Sequence, residues 1–193
     1  MLANHWMKAT RFNPGNVRKF SLLSTHTSFP ATMYRFQLER NATMYDSTQD
    51  ETRYRKDGIK VSEDGLVHAS ISKSSPYSNG PIFMPNSRLM QQMLRFDLER
   101  YQEDVNDGKC VLDPSVISIE RGTPIPAALV LWREGISRFS LQPSEPIAVE
   151  KLNDVLSEFY EKHATVLGAE EWIEKYPYRE SFPDQNEDGW MKA

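Results

Sequence analysis

The segment that most constrains the fold of this chain is ERGTPIPAALVLWREGISRFSLQPSEPI, residues 120–147. It contains a loop marked by Gly and Pro, then two short runs, ALVLW and RFSLQ, separated by a turn. Runs of this length, rich in apolar and aromatic residues and bounded by Gly and Pro, predict strands rather than helices. Ser144 and Pro146 then predict the cap and the first turn of a helix. The segment therefore predicts a strand pair that leads into a helix.

Other parts of the chain show the same mixture of short strands and isolated helices. The run MYRFQL predicts a strand with Met33, Arg35 and Gln37 on one face. Further short strands are predicted in IKVSEDGLVHASIS, at residues 82–84 and in SVISIE. A long amphipathic helix is predicted in SRLMQQMLRFDLERYQEDV, capped by Asn86 or Ser87. Several short strands with two peripheral helices predict an α+β domain built on a mixed or antiparallel sheet.

Composition argues against several classes of protein and partner. Cys110 is the only cysteine, so an intramolecular disulfide is impossible and a cysteine-based zinc site is not expected. No run of about 18 apolar residues exists, so we expect no membrane-spanning segment. The first 38 residues contain five basic residues and no acidic ones, whereas the net charge is −4, so the remainder is acidic. An acidic body argues against nucleic acid as a partner, because phosphate binding needs a clustered positive surface.

The N-terminal residues 1–32 form a basic leader that is rich in Ser and Thr. This composition is typical of organelle transit peptides, and a disordered basic tail has it too. The first interpretation predicts a mitochondrial protein and the second a cytoplasmic one. We expect three regions in total: the leader 1–32, a folded domain 33–167, and an aromatic and acidic C-terminal extension 168–193.

Single side chains, rather than a familiar motif, carry the candidate chemistry. The sequence has no G-x-S-x-G, Walker or G-x-G-x-x-G motif, and its four His residues do not fall at metal-ligand spacing. Isolated arginines suit bidentate contact with phosphates, although they also suit a solvated surface. The helix start at Asn86 offers backbone amides to an anion. The arginines near strands and turns are Arg35, Arg53, Arg55, Arg133 and Arg138.

An ordered series of short motifs resembles the Tse-two family of type VI secretion effector toxins, and more closely its fungal members. The series spans residues 33–163 and consists of MYRFQLER, YRKDGIKVSEDGLVHA, NGPIFMPNS, IERGTPIPAALVLW and RFSLQPSEPIAVEKLNDVLSEFYEKHA. The resemblance implies an ADP-ribosyltransferase-like fold, in which a split sheet forms a cleft for NAD. It further implies a toxin, or a protein derived from one, that transfers ADP-ribose from NAD to an unknown acceptor. An immunity protein is a further partner that the resemblance allows.

The resemblance also implies roles for individual residues. Arg55, nine residues before Asp64 of the DGL turn, is implied to be catalytic, and so are Arg138 and Ser140 on the final strand. Arg138 stands where a His can stand in the family, which replaces a titratable group with a fixed cation. The residues expected to contact NAD are Tyr34, Arg35, Asn79, Gly80 and Asn86.

The sequence departs from the family pattern in two further places. A small hydroxyl residue is expected in the strand after the DGL turn, where Pro81 and Ile82 stand. The sequence also offers no clear catalytic glutamate, since Glu145 lies at a predicted helix start. Trp132 could stack on a nicotinamide ring, but it also suits the core. A catalytically inactive binding module on the same fold therefore remains the alternative.

Overall fold

The fold is given by a computed structural model, which describes residues 24–38, 41–49, 57–70, 78–109, 114–135 and 137–178. These residues contain short strands and three helices. The strands are β1 (Ser24–His26), β2 (Met33–Gln37), β3 (Tyr45–Asp46), β4 (Gly58–Ile59), β5 (Ile82–Pro85), β6 (Ser115–Ile119), β7 (Leu129–Arg133), β8 (Phe139–Pro143) and β9 (Ala164–Gly168). The helices are α1 (Arg88–Asn106), α2 (Val149–His163) and α3 (Ala169–Lys175).

Seven of the strands form one sheet in the order β1-β7-β8-β5-β2-β6-β9. Every neighbouring pair in this sheet is antiparallel, while β3 and β4 form a separate parallel pair. The mostly antiparallel sheet with flanking helices confirms the predicted α+β class and is consistent with an ADP-ribosyltransferase fold.

Strand β5 joins two halves of this sheet through very short ladders. Ile82 and Phe83 pair with β8, whereas Met84 and Pro85 pair with β2. Each ladder contains only two residue pairs, so within the sheet the β1-β7-β8 half is joined to the β2-β6-β9 half through four residues of one strand, while the main core packs against both halves. This arrangement is the split sheet that the resemblance implied.

The alternation of side chains along β2 separates two hydrophobic cores. Met33 faces the main core together with the apolar face of α2, as the predicted strand pattern requires. Tyr34 and Phe36 point to the other face, where α1 and α3 cover them. Trp172 of α3 is fully buried there, and burying a large apolar side chain stabilises a fold by about 1.5–3 kcal/mol. The two helical layers therefore lie on opposite faces of the β2-β6-β9 half.

The helix starts were predicted with mixed success. Ser87 caps α1 as expected, since its hydroxyl accepts a hydrogen bond from the Met90 amide at 3.2 Å. The predicted cap at Ser144 is wrong, because α2 begins at Val149 and its N-cap residue is Ala148. The Ser144 hydroxyl instead donates to the Ala127 carbonyl oxygen at 2.7 Å. This bond joins the segment that precedes β7 to the segment that follows β8.

The folded part of the chain extends beyond the predicted domain at both of its ends. Residues 24–26 of the predicted leader pair with β7, and Phe29 is buried in the main core. β9 and α3 extend the fold to Lys175, beyond the predicted domain end at residue 167. None of the described helices combines the length and the apolar character needed to cross a membrane.

Candidate active site

The β7–β8 pair presents a polar face on the side of the sheet opposite the main core. Along β8, Phe139 and Leu141 face the main core. Ser140 and Gln142 therefore point the other way, because side chains alternate along a strand. Trp132 of β7 pairs with Ser140 and lies on the same face. Two residues further along, immediately after β7, Glu134 brings a carboxylate to this face.

Glu134 is the centre of a hydrogen-bonded cluster. The Ser140 hydroxyl donates to Glu134 Oε1 at 2.5 Å, and the Gln142 amide donates to the same oxygen at 3.2 Å. The Ser78 hydroxyl donates to Glu134 Oε2 at 2.6 Å, and Arg138 Nε lies 3.1 Å from that oxygen. The Glu134 side chain is only 13% exposed. These contacts fix the position and orientation of the carboxylate.

A tight turn places Arg138 beside Glu134. The backbone amides of Glu134 and Gly135 both donate to the Arg138 carbonyl oxygen, at 2.9 and 3.3 Å. Arg138 Nη2 also donates to the Ser78 hydroxyl at 3.2 Å. The cation therefore bridges two members of the cluster while 46% of its side chain stays exposed.

Gln142 anchors the cluster to the chain around Ser70. Its Oε1 accepts from the Ser70 amide at 2.6 Å, and its Nε2 donates to the Ser70 carbonyl oxygen at 3.0 Å. The same Nε2 donates to the Ser140 hydroxyl at 2.7 Å. Both Ser140 and Gln142 have 0% exposure. A buried amide with all its contacts made holds its neighbours rigidly, because any loss would leave a buried polar group without a partner.

Gly80 and Asn79 explain how Ser78 reaches the carboxylate. A Cβ on Gly80 would lie 2.1 Å from the Leu141 carbonyl oxygen, so this segment packs directly on the backbone of β8. The Asn79 side chain accepts from the Lys60 amide at 2.9 Å and donates to the Lys60 and His68 carbonyl oxygens. Ser78 thereby brings a hydroxyl group to Glu134 Oε2, three residues before the position at which Pro81 departs from the family pattern.

The predicted catalytic residues Arg138 and Ser140 thus lie together, whereas Arg55 lies outside the described residues. Ser78, Glu134 and Gln142 were not predicted. One signal could have found two of them, namely the alternation of side chains along a strand. Glu134 lies two residues after Trp132, and Gln142 lies two residues after Ser140. Both therefore point to the face opposite the main core. Ser78 gave no comparable signal, because its contact with Glu134 spans 56 residues of sequence.

Arg35 does not join this cluster. It shares the face of β2 that includes Met33, which belongs to the main core on the opposite side of the sheet from Ser140. Arg35 Nη2 pairs with the Asp57 carboxylate, and the two side chains are 4% and 6% exposed. Arg35 Nε donates to Gln37 Oε1 at 3.2 Å. The arginine predicted to contact a phosphate therefore has its charge balanced inside the protein.

Tyr34 lies on the same face as Ser140 but is covered by α3. Its ring packs edge-on against Trp172 with the centroids 4.8 Å apart. Burial, together with the neighbouring Tyr176, raises the pKa of Tyr34 to about 12. The structure therefore places Tyr34 in the second hydrophobic core, and its contact with NAD stays a prediction.

The remaining predicted NAD contacts are also engaged within the protein. The side-chain amide of Asn79 fixes the Lys60 and His68 backbone. Asn86 donates to the Tyr176 carbonyl oxygen at 3.1 Å and accepts from Gln91 Nε2 at 2.9 Å, at the start of α1. Gly80 lies beside Leu141 of β8, close to the cluster. Binding of NAD by these three residues stays a prediction.

Trp132 belongs to the polar face rather than to either hydrophobic core. It lies between Thr25 of β1 and Ser140 of β8 in the strand register. Its indole N–H is buried and has no hydrogen-bond partner among the described residues. An aromatic ring beside the Glu134 cluster is a suitable surface for a nicotinamide or adenine ring.

Elsewhere, a cavity of about 710 Å³ lies beside α2 and β9. Its lining includes three carboxylates, from Asp154, Glu158 and Glu161. The negative charges of these carboxylates would repel a pyrophosphate, so this cavity is a poor site for one. Within the described ranges, no group of three or more His, Cys, Asp or Glu residues is arranged to bind a metal ion.

Comparison with known protein families matches residues 31–172 to the family described as Tse2 ADP-ribosyltransferase toxin. The match includes every residue of the Glu134 cluster. No significant match was found among curated proteins or among solved structures. The ordered motifs, the split antiparallel sheet and the family match agree, and the chain therefore belongs to the Tse2 ADP-ribosyltransferase toxin family.

Proposed function

We propose that this protein cleaves NAD and transfers its ADP-ribose to an acceptor, and that Glu134 is the carboxylate of the reaction. The observation that carries the proposal is a nearly buried glutamate, held by Ser78, Arg138, Ser140 and Gln142 on the polar face of a split sheet. Many ADP-ribosyltransferases use a glutamate to hold a ribose hydroxyl. Glu134 is the residue of the cluster with the chemistry for that role.

The reaction requires little covalent work from the protein. The bond between the ribose carbon and the nicotinamide nitrogen breaks, and its electron pair leaves with nicotinamide, whose ring becomes neutral. The acceptor then supplies an electron pair to the ribose carbon and loses a proton. A fixed carboxylate beside the ribose stabilises the positive charge that develops between these steps. Positioning and electrostatics can therefore supply the catalysis without a triad.

Each remaining member of the cluster has a role that follows from its contacts. Ser140, Ser78 and Gln142 orient the carboxylate, since all three donate to it. Arg138 is the exposed cation of the cluster and suits the NAD pyrophosphate. Trp132 offers the nicotinamide ring a flat surface. Arg55 remains a proposed catalytic residue on the basis of the family resemblance alone.

Glu134→Gln tests this proposal, because it keeps the shape of the side chain and removes its charge. We expect nicotinamide release from NAD to fall by about 10²–10³-fold, the usual effect of losing one electrostatic contact to a transition state. The melting temperature should also fall, because the new amide N–H group faces a donor of the cluster, so the rates are compared at a temperature at which both proteins are folded. Glu145→Gln is the matched control: Glu145 is exposed after β8, and its loss should leave the rate unchanged. Equal rates for the two variants would contradict the assignment of Glu134.

A non-catalytic binding module on the same fold is the second candidate. It is favoured by the groups of the protein itself that already contact both oxygens of the Glu134 carboxylate. Calorimetry with ADP-ribose, combined with nicotinamide release from NAD, separates the two functions: binding without release supports the module.

Expression in yeast gives a cellular measure, since growth arrest that disappears with Glu134→Gln or Arg55→Ala would support a toxin. The acceptor and an immunity partner remain to be identified by capture with the inactive variant.

A further inference from the structure

Protein groups surround both oxygens of the Glu134 carboxylate. A carboxylate offers about two lone-pair positions on each oxygen. Oε1 receives the Ser140 hydroxyl at 2.5 Å and the Gln142 amide at 3.2 Å. Oε2 receives the Ser78 hydroxyl at 2.6 Å, and Arg138 forms an ion pair with the same oxygen, with Nε 3.1 Å away. The Arg138 side chain therefore lies where a ribose hydroxyl would have to approach Oε2.

Arg138 is the donor that can leave. Ser140 and Gln142 have 0% exposure and Ser78 has 8%, so moving any of them would break buried contacts. The Arg138 side chain is 46% exposed, and its contacts within the cluster are with Glu134 and Ser78. Water already competes for the Arg138 charge. The Glu134 carboxylate is 13% exposed, but it keeps three neutral donors when Arg138 moves, so this pair separates at lower cost than a fully buried one. Withdrawal of Arg138 frees the space beside Oε2 for a substrate hydroxyl.

We propose that Arg138 is a specificity-determining residue that covers Glu134 until a pyrophosphate draws it away. This inference rests on the function proposed above. The pyrophosphate of the dinucleotide offers the guanidinium a bidentate, doubly charged partner in place of a single carboxylate oxygen. The ribose hydroxyl then takes the acceptor position that Arg138 vacates. A nicotinamide nucleoside without phosphates would find the carboxylate still covered.

The test compares NAD with nicotinamide riboside, which has the same scissile bond and no phosphate. Arg138→Gln should lower kcat/KM for NAD and raise it for nicotinamide riboside, so that the preference for NAD falls by about tenfold or more, as expected when a charge-assisted contact is lost. Arg138→Lys keeps the charge but loses the bidentate contact, so it should retain only part of the preference. Arg95→Gln, on an exposed position of α1, is the control and should not change it.

Inorganic pyrophosphate provides a second measurement on the unmodified protein. It should activate cleavage of nicotinamide riboside by the wild type, because it can withdraw Arg138 in the way that the dinucleotide does. It should not activate Arg138→Gln. A purely structural role for Arg138 would not produce activation by an added anion.

The outcomes separate this inference from the proposed function. If the wild type releases no nicotinamide from NAD, the proposed function fails and the inference fails with it. If the wild type cleaves NAD but Arg138→Gln shows no gain on nicotinamide riboside and pyrophosphate does not activate, the inference alone is overturned. A gain on the riboside with a loss on NAD, together with activation by pyrophosphate, supports it.

Discussion

Two arginine–carboxylate pairs of this protein differ mainly in their exposure to solvent. Arg35 and Asp57 are 4% and 6% exposed, whereas Arg138 is 46% exposed beside Glu134. Removing one partner of a buried pair leaves an uncompensated charge in the interior. Arg138 can instead move into water, and the Glu134 carboxylate, 13% exposed, keeps three neutral donors. Arg35 is therefore suited to holding β2 in place, and Arg138 is suited to meeting a ligand.

Asp57→Ala should be strongly destabilising, because it leaves the Arg35 guanidinium buried without a counter-charge. We expect the free energy of unfolding to fall by about 3–5 kcal/mol, measured by urea denaturation. The double variant Arg35→Met, Asp57→Leu replaces the pair with apolar groups and should recover most of this loss.

The double variant also tests the predicted role of Arg35 in binding NAD. If Arg35 serves only the fold, the double variant should bind ADP-ribose as the wild type does. Loss of binding in a stable double variant would restore Arg35 to the site. A near-wild-type stability for Asp57→Ala would contradict the structural role.

At the scale of elements, the site depends on how closely the Ser78–Gly80 segment approaches β8. The Gly80 amide donates to the Ser78 carbonyl oxygen at 2.8 Å, and the Leu141 amide donates to the Pro81 carbonyl oxygen at 3.0 Å. This packing positions Ser78 against Glu134. Glycine is required at residue 80 because any Cβ would overlap the Leu141 carbonyl oxygen.

Gly80→Ala should therefore affect both stability and activity. The Cβ would meet backbone that cannot move easily, and overpacking of this kind costs about 1–3 kcal/mol. Displacement of Ser78 should also lower kcat for nicotinamide release. Gly168→Ala is the matched control, since nothing lies within 4 Å of its added Cβ and its φ of −58° suits any residue. Similar melting temperatures for the two variants would contradict the close-packing argument.

Elements with strong local signals could be predicted from the sequence. The alternation in β2 and the hydroxyl at Ser87 gave a strand and a helix start that the structure confirms. The start of α2 was predicted too early, because the Ser144 hydroxyl bonds across the β7–β8 pair rather than to a helix. β9 was not predicted, since Ala164–Gly168 follows α2 without a proline or glycine break.

The active-site cluster was harder to predict because its contacts are distant in sequence. The hydrogen bond between Ser78 and Glu134 spans 56 residues, and those between Gln142 and Ser70 span 72. The family resemblance predicted Arg138 and Ser140 as site residues. It could not show that Glu134, at the end of a strand, would be the carboxylate that these side chains surround.

At the scale of the whole molecule, the last part of the predicted leader 1–32 belongs to the folded domain. Residues 24–26 form β1 on the edge of β7, and Phe29 is 1% exposed in the main core. Lys8, Arg11, Arg18 and Lys19 all precede β1, and no acidic residue lies among them. A targeting signal that can be removed without disturbing the described fold must therefore lie before Ser24.

We propose that this basic segment directs the protein to mitochondria. A fluorescent protein carrying residues 1–23 should then accumulate there, and replacing the four basic residues with Gln should return it to the cytosol, because import depends on positive charge. A diffuse signal from the unaltered fusion would contradict targeting.

The fold gives the matching prediction for truncation. A chain that starts at Ser24 should melt like the full protein, whereas one that starts at residue 33 loses β1 and Phe29. Losing a buried aromatic side chain alone costs about 3–5 kcal/mol, so the shorter chain should melt at a clearly lower temperature, and equal melting temperatures would place β1 outside the cooperative fold.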